Sequence, residues 1–371
     1  LPRGSRAACV DTIERVNAPS SRATIDADSS AAPSAAPIAP AAHPGLAVLY
    51  PDSPAVMEMS LPVSGLGSTP RHVLNVQVHG NARGIPLVVL HGGPGSGTTP
   101  LLRRFLDPQR FRIVCLDQRG AGRSTPRGEV TDNTTADLLA DLRAVRRFLR
   151  IDRWVVVGGS WGATLALAHA LHEPEAVRGL LLRGTFLARS EDIDHFFSVA
   201  ATGQPQAWAD FSSIAPNERH GDLLDVLAEL LASGGDPASR AALAWWRWES
   251  TLASGAVGIE PTGDALGALI DRYRVQAHYL RHGCWLGQPA LLDRVEALPR
   301  IPIRLLHGSN DRICRPAGAI ALQARLGARA SLELIDGAGH DPTHPSMVDA
   351  MVRSLDRYAQ SGEFIADGDG E

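Results

Sequence analysis

Apolar positions along this chain follow two rhythms. Short apolar runs at 86–90, 112–116, 154–157, 179–182 and 303–307 are too brief for helices and are bounded by turn residues, so they read as strands. Residues 331–335 alternate in polarity and read as another strand, while 57–63 and 72–78 read as an opening antiparallel pair. Between these runs the period changes to that of a helix. In 135–149, Leu138, Leu139, Leu142, Val145 and Leu149 fall on one face, and Thr134 or Thr135 can cap the start. The alternation predicts an α/β protein with a mostly parallel, doubly wound sheet, helices on both faces and functional loops at the strands' C-terminal ends.

The rhythm is interrupted from about Ala188 to Pro299, where runs at 222–232, 238–252 and 264–280 have amphipathic helical spacing and no clear strand occurs. This predicts a helical cap at 188–299, inserted into a core built from 46–187 and 300–360. Residues 1–45 are expected to form a disordered tail, because 29–44 is almost wholly Ala, Pro and Ser and cannot bury enough apolar surface to offset chain entropy. The opening Leu1-Pro2-Arg3-Gly4-Ser5 has the look of a cloning remnant, and no apolar signal-peptide segment is visible there. Residues 361–371 are expected to be a flexible tail.

Candidate chemistry sits at the predicted strand ends. Gly158-Gly159-Ser160-Trp161-Gly162 is a G-x-S-x-G pattern between an apolar run and a helical one. This is the context in which a serine is lifted out of a sheet on a strained turn, with small neighbours because strand and helix nearly collide. A chance turn is the competing reading in a chain with 36 glycines, but the strand-turn-helix setting favours Ser160 as a nucleophile. After 86–90 comes His91-Gly92-Gly93-Pro94-Gly95-Ser96-Gly97. An acyl-transfer intermediate carries negative charge on oxygen and needs close main-chain donors, so the amides of Gly93 and Trp161 are the expected oxyanion hole. A phosphate loop is excluded because no lysine follows the glycines.

A serine nucleophile needs a base, and the base needs an orienting carboxylate downstream. Asp311 lies just after 303–307 and His340 just after 331–335, the positions where those partners belong in the order Ser, Asp, His. Asp341 adjoins His340 but points elsewhere. The expected triad is therefore Ser160, Asp311 and His340.

Together with the glycine loop, three stretches make the pattern specific: Asp117-Gln118-Arg119-Gly120-Ala121-Gly122-Arg123-Ser124, the elbow at Ser160, and Leu182-Arg183-Gly184-Thr185-Phe186. They resemble proline iminopeptidases, serine peptidases of the α/β-hydrolase fold that remove N-terminal proline from peptides. The resemblance spans roughly residues 55–355 and implies further site residues. Trp248-Glu249 resembles the family's Trp-Glu segment, whose glutamate holds the substrate's free amine; pairing of Glu249 with Arg247 or another arginine is the alternative. Where the family has a second glutamate this chain has Gln276, an acceptor without charge. Arg183 and Phe186 are implied to line the substrate site. Gln276 keeps open a related hydrolase acting on an ester, lactone or specialised amide without a free amine. A non-catalytic ligand receptor on the same fold is the remote alternative.

Composition adds limits. A net charge of −4 predicts no attraction to nucleic acid or anionic membrane, and no apolar stretch has the length of a membrane span. The partner expected is a small peptide, amide or ester. Cys9, Cys115, Cys284 and Cys314 are scattered, which suggests neither a zinc set nor a disulfide framework and fits a reducing cytoplasm; no metal or organic cofactor is expected. The chain has no lysine, so all 36 basic residues are arginine and Schiff-base chemistry, pyridoxal phosphate included, is excluded. Five of the seven tryptophans, Trp208, Trp245, Trp246, Trp248 and Trp285, fall in the predicted cap, where most should build its core and some should face the serine around a proline-like ring. Cys314 is expected to be a buried packing residue.

Overall fold

The computed structural model describes residues 46–64, 70–197 and 203–365; the expected tail at 1–45, and the end of the chain beyond Ile365, lie outside the described residues. Strands β1 (Ala55–Ser64), β2 (Pro70–Gly80), β3 (Ile85–Leu90), β4 (Phe111–Leu116), β5 (Trp154–Gly159), β6 (Val177–Arg183), β7 (Ile303–Gly308) and β8 (Ala330–Ile335) form one eight-stranded sheet in the order β1-β2-β4-β3-β5-β6-β7-β8. β1 pairs antiparallel with β2 and β2 with β4, and every other neighbouring pair is parallel. All eight expected strands are present. β5 and β7 run slightly past their apolar stretches because the ladder continues through glycine.

The near-continuous apolar runs are explained by burial on both faces. A one-turn helix, α1 (Pro100–Arg103), precedes β4. Successive side chains point to opposite sides, so Val88, Leu90, Val156 and Leu182 enter one core with helices α2 (Thr135–Phe148) and α3 (Trp161–His172). Leu87, Val89, Val155 and Leu181 enter a second core against the terminal helix, which contributes Met347, Val348, Met351 and Leu355. Phe364 is also buried there, against the ring of Tyr358, so the expected flexible tail is docked as far as it is described. Thr134 is the cap of α2: its side chain accepts from the Asp137 amide while the Asp137 carboxylate accepts from the Thr134 amide.

Between β6 and β7 the described elements are helical: α4 (Ser190–Phe196), α5 (Pro205–Ser212), α6 (Leu223–Ser233), α7 (Gly235–Ser254) and α8 (Gly263–Arg281), followed by short turns. Their apolar faces meet in an aromatic cluster. Trp245 stacks on Tyr273 at 4.9 Å between ring centroids, and Trp248 stacks on Phe211 at 5.7 Å. Polar contacts tie this layer to the start of α2. The Tyr279 hydroxyl donates to Asn133 Oδ1 at 2.9 Å, and Thr135 Oγ1 donates to the Cys284 carbonyl at 2.5 Å.

The loop after β4 is a buried electrostatic clamp. Arg119 donates from Nε and Nη2 to the two oxygens of Asp141 on α2, each at 2.7 Å, and from Nη1 and Nη2 to the carbonyls of Asp132 and Ser64. A fully buried guanidinium is tolerated only with such complete pairing. Asp141→Ala should therefore destabilise the protein by roughly 3–5 kcal/mol, since it leaves the buried cation with only the more distant Asp137 carboxylate, at 3.5 Å. Urea denaturation monitored by tryptophan fluorescence would measure the loss, and a change below about 1 kcal/mol would contradict the clamp.

Candidate active site

Ser160 sits at the β5–α3 junction with φ 57° and ψ −123°, a left-handed region that a non-glycine residue adopts only when its surroundings enforce it. The surroundings are close. A Cβ on Gly158 would lie 2.3 Å from the Gly162 carbonyl oxygen, and one on Gly162 would lie 2.1 Å from that of Leu90. The Ser160 amide donates to the Arg183 carbonyl at 2.9 Å, which fixes the turn to the neighbouring strand.

His340 Nδ1 and Asp311 Oδ2 are 2.7 Å apart, bringing together two of the residues expected from the sequence. Asp311 Oδ1 accepts from the amides of Ile313 and Cys314 at 3.0 and 2.9 Å, so its carboxylate is fully engaged. Burial pushes the Asp311 carboxyl up, but the neighbouring His340 and the Cys314 amide outweigh it and hold the group below its ordinary value. His307 Nε2 lies 3.5 Å from Asp311 and donates to the Cys314 carbonyl at 2.7 Å, while its Nδ1 accepts from the Thr185 amide. That pattern defines the neutral Nε2–H tautomer, and burial lowers the ring's affinity for a second proton. Arg183 Nη1 donates to the His340 carbonyl at 2.6 Å and so pins the loop that carries the imidazole. Gly184 leaves room for the pair: a Cβ there would lie 3.3 Å from His340 Cε1.

The glycine loop is held against Ser160 by a buried chain. The Gln118 amide donates to His91 Nε2 at 3.0 Å, Gln118 Nε2 donates to the His91 carbonyl, and Trp161 Nε1 donates to Gln118 Oε1 at 2.9 Å. Asp117 accepts from the amides of Thr98 and Arg123, closing the far side of the loop. The amides of Gly93 and Trp161 have no protein acceptor among the described residues, and Trp161 begins α3, where the helix dipole adds positive potential.

Ser160, His340, Gly93, Arg183, Phe186, Glu249 and Gln276 all line one cavity of about 280 Å³. Ser160 Oγ has Cys314 Sγ as its polar neighbour, at 3.8 Å, and no Ser160–His340 hydrogen bond is formed. Trp248 is not brought to this cavity. It is buried in the aromatic cluster, with Nε1 donating to the Phe196 carbonyl at 2.9 Å, because its position on α7 faces the other helices rather than the sheet. None of the five tryptophans between β6 and β7 lines the cavity; its apolar wall includes Phe186, Ile193, Phe196, Phe197 and Leu280, with Leu101, Leu102 and Ile313 from the core. Glu249 does reach it, already engaged by Arg272 Nη2 and by the Tyr273 hydroxyl at 2.9 Å. Arg247, the nearer candidate in sequence, pairs with Glu260 instead.

A family described by the alpha/beta hydrolase fold matches residues 85–344. A proline iminopeptidase of Xanthomonas citri is 39% identical over 318 residues, covering 84% of this chain and 99% of its own. The chain belongs to the proline iminopeptidase family. A member from Arabidopsis thaliana is 38% identical over 290 residues, covering 76% of this chain and 75% of its own. Among solved structures, the proline iminopeptidase of Mycobacterium smegmatis has a TM-score of 0.52 at 18% identity, covering 83% of this chain and 100% of its own, a likeness of fold.

Within this family member, several residues of the site were not singled out from the sequence. Gln118 and His91 lie inside recognisable motifs, but only folding shows that they join two loops. His307 carried a usable signal, a polar residue near the end of an apolar strand. Arg272 stands four residues before Gln276, a spacing that places both on one helical face. Cys314 is buried as expected, and burial pushes its thiol well above the ordinary range, so it stays protonated at neutral pH.

The depressed Asp311 carboxyl has a consequence for stability. A folded value below the unfolded one, about 3.9, contributes stability that is complete above that value and is lost as pH falls through the folded one. The stability gap between wild type and Asp311→Asn should shrink on acidification from pH 5 to pH 3. Urea midpoints across that range test it; a gap that stays constant or widens would refute the assignment.

Proposed function

We propose that this protein is a serine aminopeptidase that releases N-terminal proline from short peptides through an acyl-enzyme on Ser160. What carries the reading is the His340–Asp311 hydrogen bond on the wall of the cavity that also exposes Ser160. Ser160 Oγ turns from Cys314 toward His340 and loses its proton to the imidazole as it attacks the carbonyl. Asp311 stabilises the imidazolium, while the Gly93 and Trp161 amides take the charge that develops on oxygen. His340 then protonates the leaving amine, and water repeats the sequence to free the acid. Phe186 and the phenylalanines of α4 and its end supply an apolar wall suited to a pyrrolidine ring, with Glu249 and Gln276 toward the substrate's amine.

In this reading residues 46–187 and 300–360 form the catalytic core and 188–299 its cap. The described cysteines Cys115, Cys284 and Cys314 are free buried thiols, which supports a reducing, cytoplasmic setting. No helix among the described residues is long and apolar enough to cross a membrane.

Ser160→Ala should lower kcat for proline-p-nitroanilide by at least about 10⁴-fold, and a fluorophosphonate probe should label the wild type alone. Asp311→Asn should lower kcat by roughly 10³–10⁴-fold through loss of the orienting carboxylate. Retained hydrolysis in Ser160→Ala would remove the acyl-enzyme.

A further inference from the structure

The charged groups around the cavity are engaged before any substrate arrives: each carboxylate is held by an arginine, and the Arg183 guanidinium is spent on the His340 carbonyl. The lining includes two carboxylates, Asp192 and Glu249. Asp192 is gripped by Arg189, with Nε to Oδ2 at 2.9 Å and Nη2 to Oδ1 at 2.6 Å. Glu249 is gripped by Arg272, which itself lines the cavity, and by the Tyr273 hydroxyl at 2.9 Å. The guanidinium is held in place. It lies 5.1 Å from the centroid of the Tyr273 ring, and the Arg272 backbone abuts the glycine loop, where a Cβ on Gly95 would meet the Arg272 carbonyl at 2.7 Å. Arg272 thus sits beside the same loop that presents Gly93.

A cationic amine entering this space meets Glu249 already shared with a cation, so the attraction of the carboxylate is largely cancelled by the repulsion of its partner. The open acceptor is elsewhere. Gln276 Oε1 is buried and has no hydrogen-bond partner, and it projects from the same face of α8 as Arg272. Arg272 Nε is likewise buried and unpartnered. What remains for a ligand is a neutral acceptor and a cationic donor, a combination that gives an ammonium group no net electrostatic advantage over an uncharged one.

We propose that Arg272 is a specificity-determining residue: by neutralising Glu249 it opens the site to cyclic acyl groups with no charged amine about as readily as to N-terminal proline. The proposal rests on the acyl-enzyme reading for its chemistry and concerns only which acyl group is preferred.

The test compares kcat/KM for proline-p-nitroanilide and cyclopentanecarbonyl-p-nitroanilide, which match in ring size and differ in the amine. The wild type should favour proline by less than about tenfold. Arg272→Gln should raise that preference at least about fivefold, through KM, and Arg272→Lys, which keeps the charge, should stay within about twofold of wild type. A wild-type preference above tenfold, or an Arg272→Gln ratio that is unchanged or lower, would overturn the assignment. Circular dichroism and thermal melting check that the variants fold; if Arg272→Gln does not, the wild-type ratio decides. If wild type cleaves neither anilide, the acyl-enzyme reading has failed, and calorimetric affinities for L-prolinamide and cyclopentanecarboxamide decide separately. Affinities within tenfold uphold the charge assignment, and stronger selection of prolinamide overturns it.

Discussion

The structure depends on one steric crossing, the place where β5 turns into α3. Strand and helix approach so closely that a methyl group on Gly158 or Gly162 would overlap a main-chain carbonyl. That crowding forces Ser160 into positive φ and presents its hydroxyl at the C-terminal edge of the sheet. Every other feature of the site is placed relative to this point. The neighbouring strand β6 receives the Ser160 amide at Arg183, and the same arginine reaches across to hold the His340 carbonyl. One residue therefore links the turn that carries the hydroxyl to the loop that carries the imidazole.

Around the crossing, buried polar groups do what apolar packing cannot, which is to specify relative positions of loops. The His91–Gln118–Trp161 chain joins the glycine loop, the loop after β4 and the first turn of α3. Arg119 and Asp141 join that loop to α2, and Asn133 extends the connection to Tyr279 on α8. Each link is directional and nearly water-free, so a small displacement costs a hydrogen bond rather than a little surface. Preorganised donors of the kind proposed for Gly93 and Trp161 require such a frame.

The helical layer contributes charge control as well as a wall. Its tryptophans are consumed by its own core, as Trp248 illustrates, because the aromatic faces of α5, α7 and α8 must bury against one another before any can face the sheet. The side chains left facing Ser160 are phenylalanines from α4 and its end, with Glu249, Arg272 and Gln276 from the two long helices. Charge and shape at the cavity are thus set by residues that the aromatic cluster does not claim.

Much of this was legible in the chain because it is local. Strand and helix periodicity, the capping threonine, and the glycines flanking Ser160 act within a few residues, so pattern alone located all the strands and the Ser160 turn. Ser160, Asp311 and His340 were legible because each follows a strand, β5, β7 and β8 in turn, and parallel strands deliver such loops to one edge of the sheet. Only tertiary structure decided which arginine met Glu249, which aromatic rings faced the cavity, and that His91, Gln118 and His307 belong to the site. Those outcomes turn on side chains far apart in sequence competing for the same partner, Arg247 against Arg272 for Glu249, and helix packing settles such competition by geometry that no local pattern encodes.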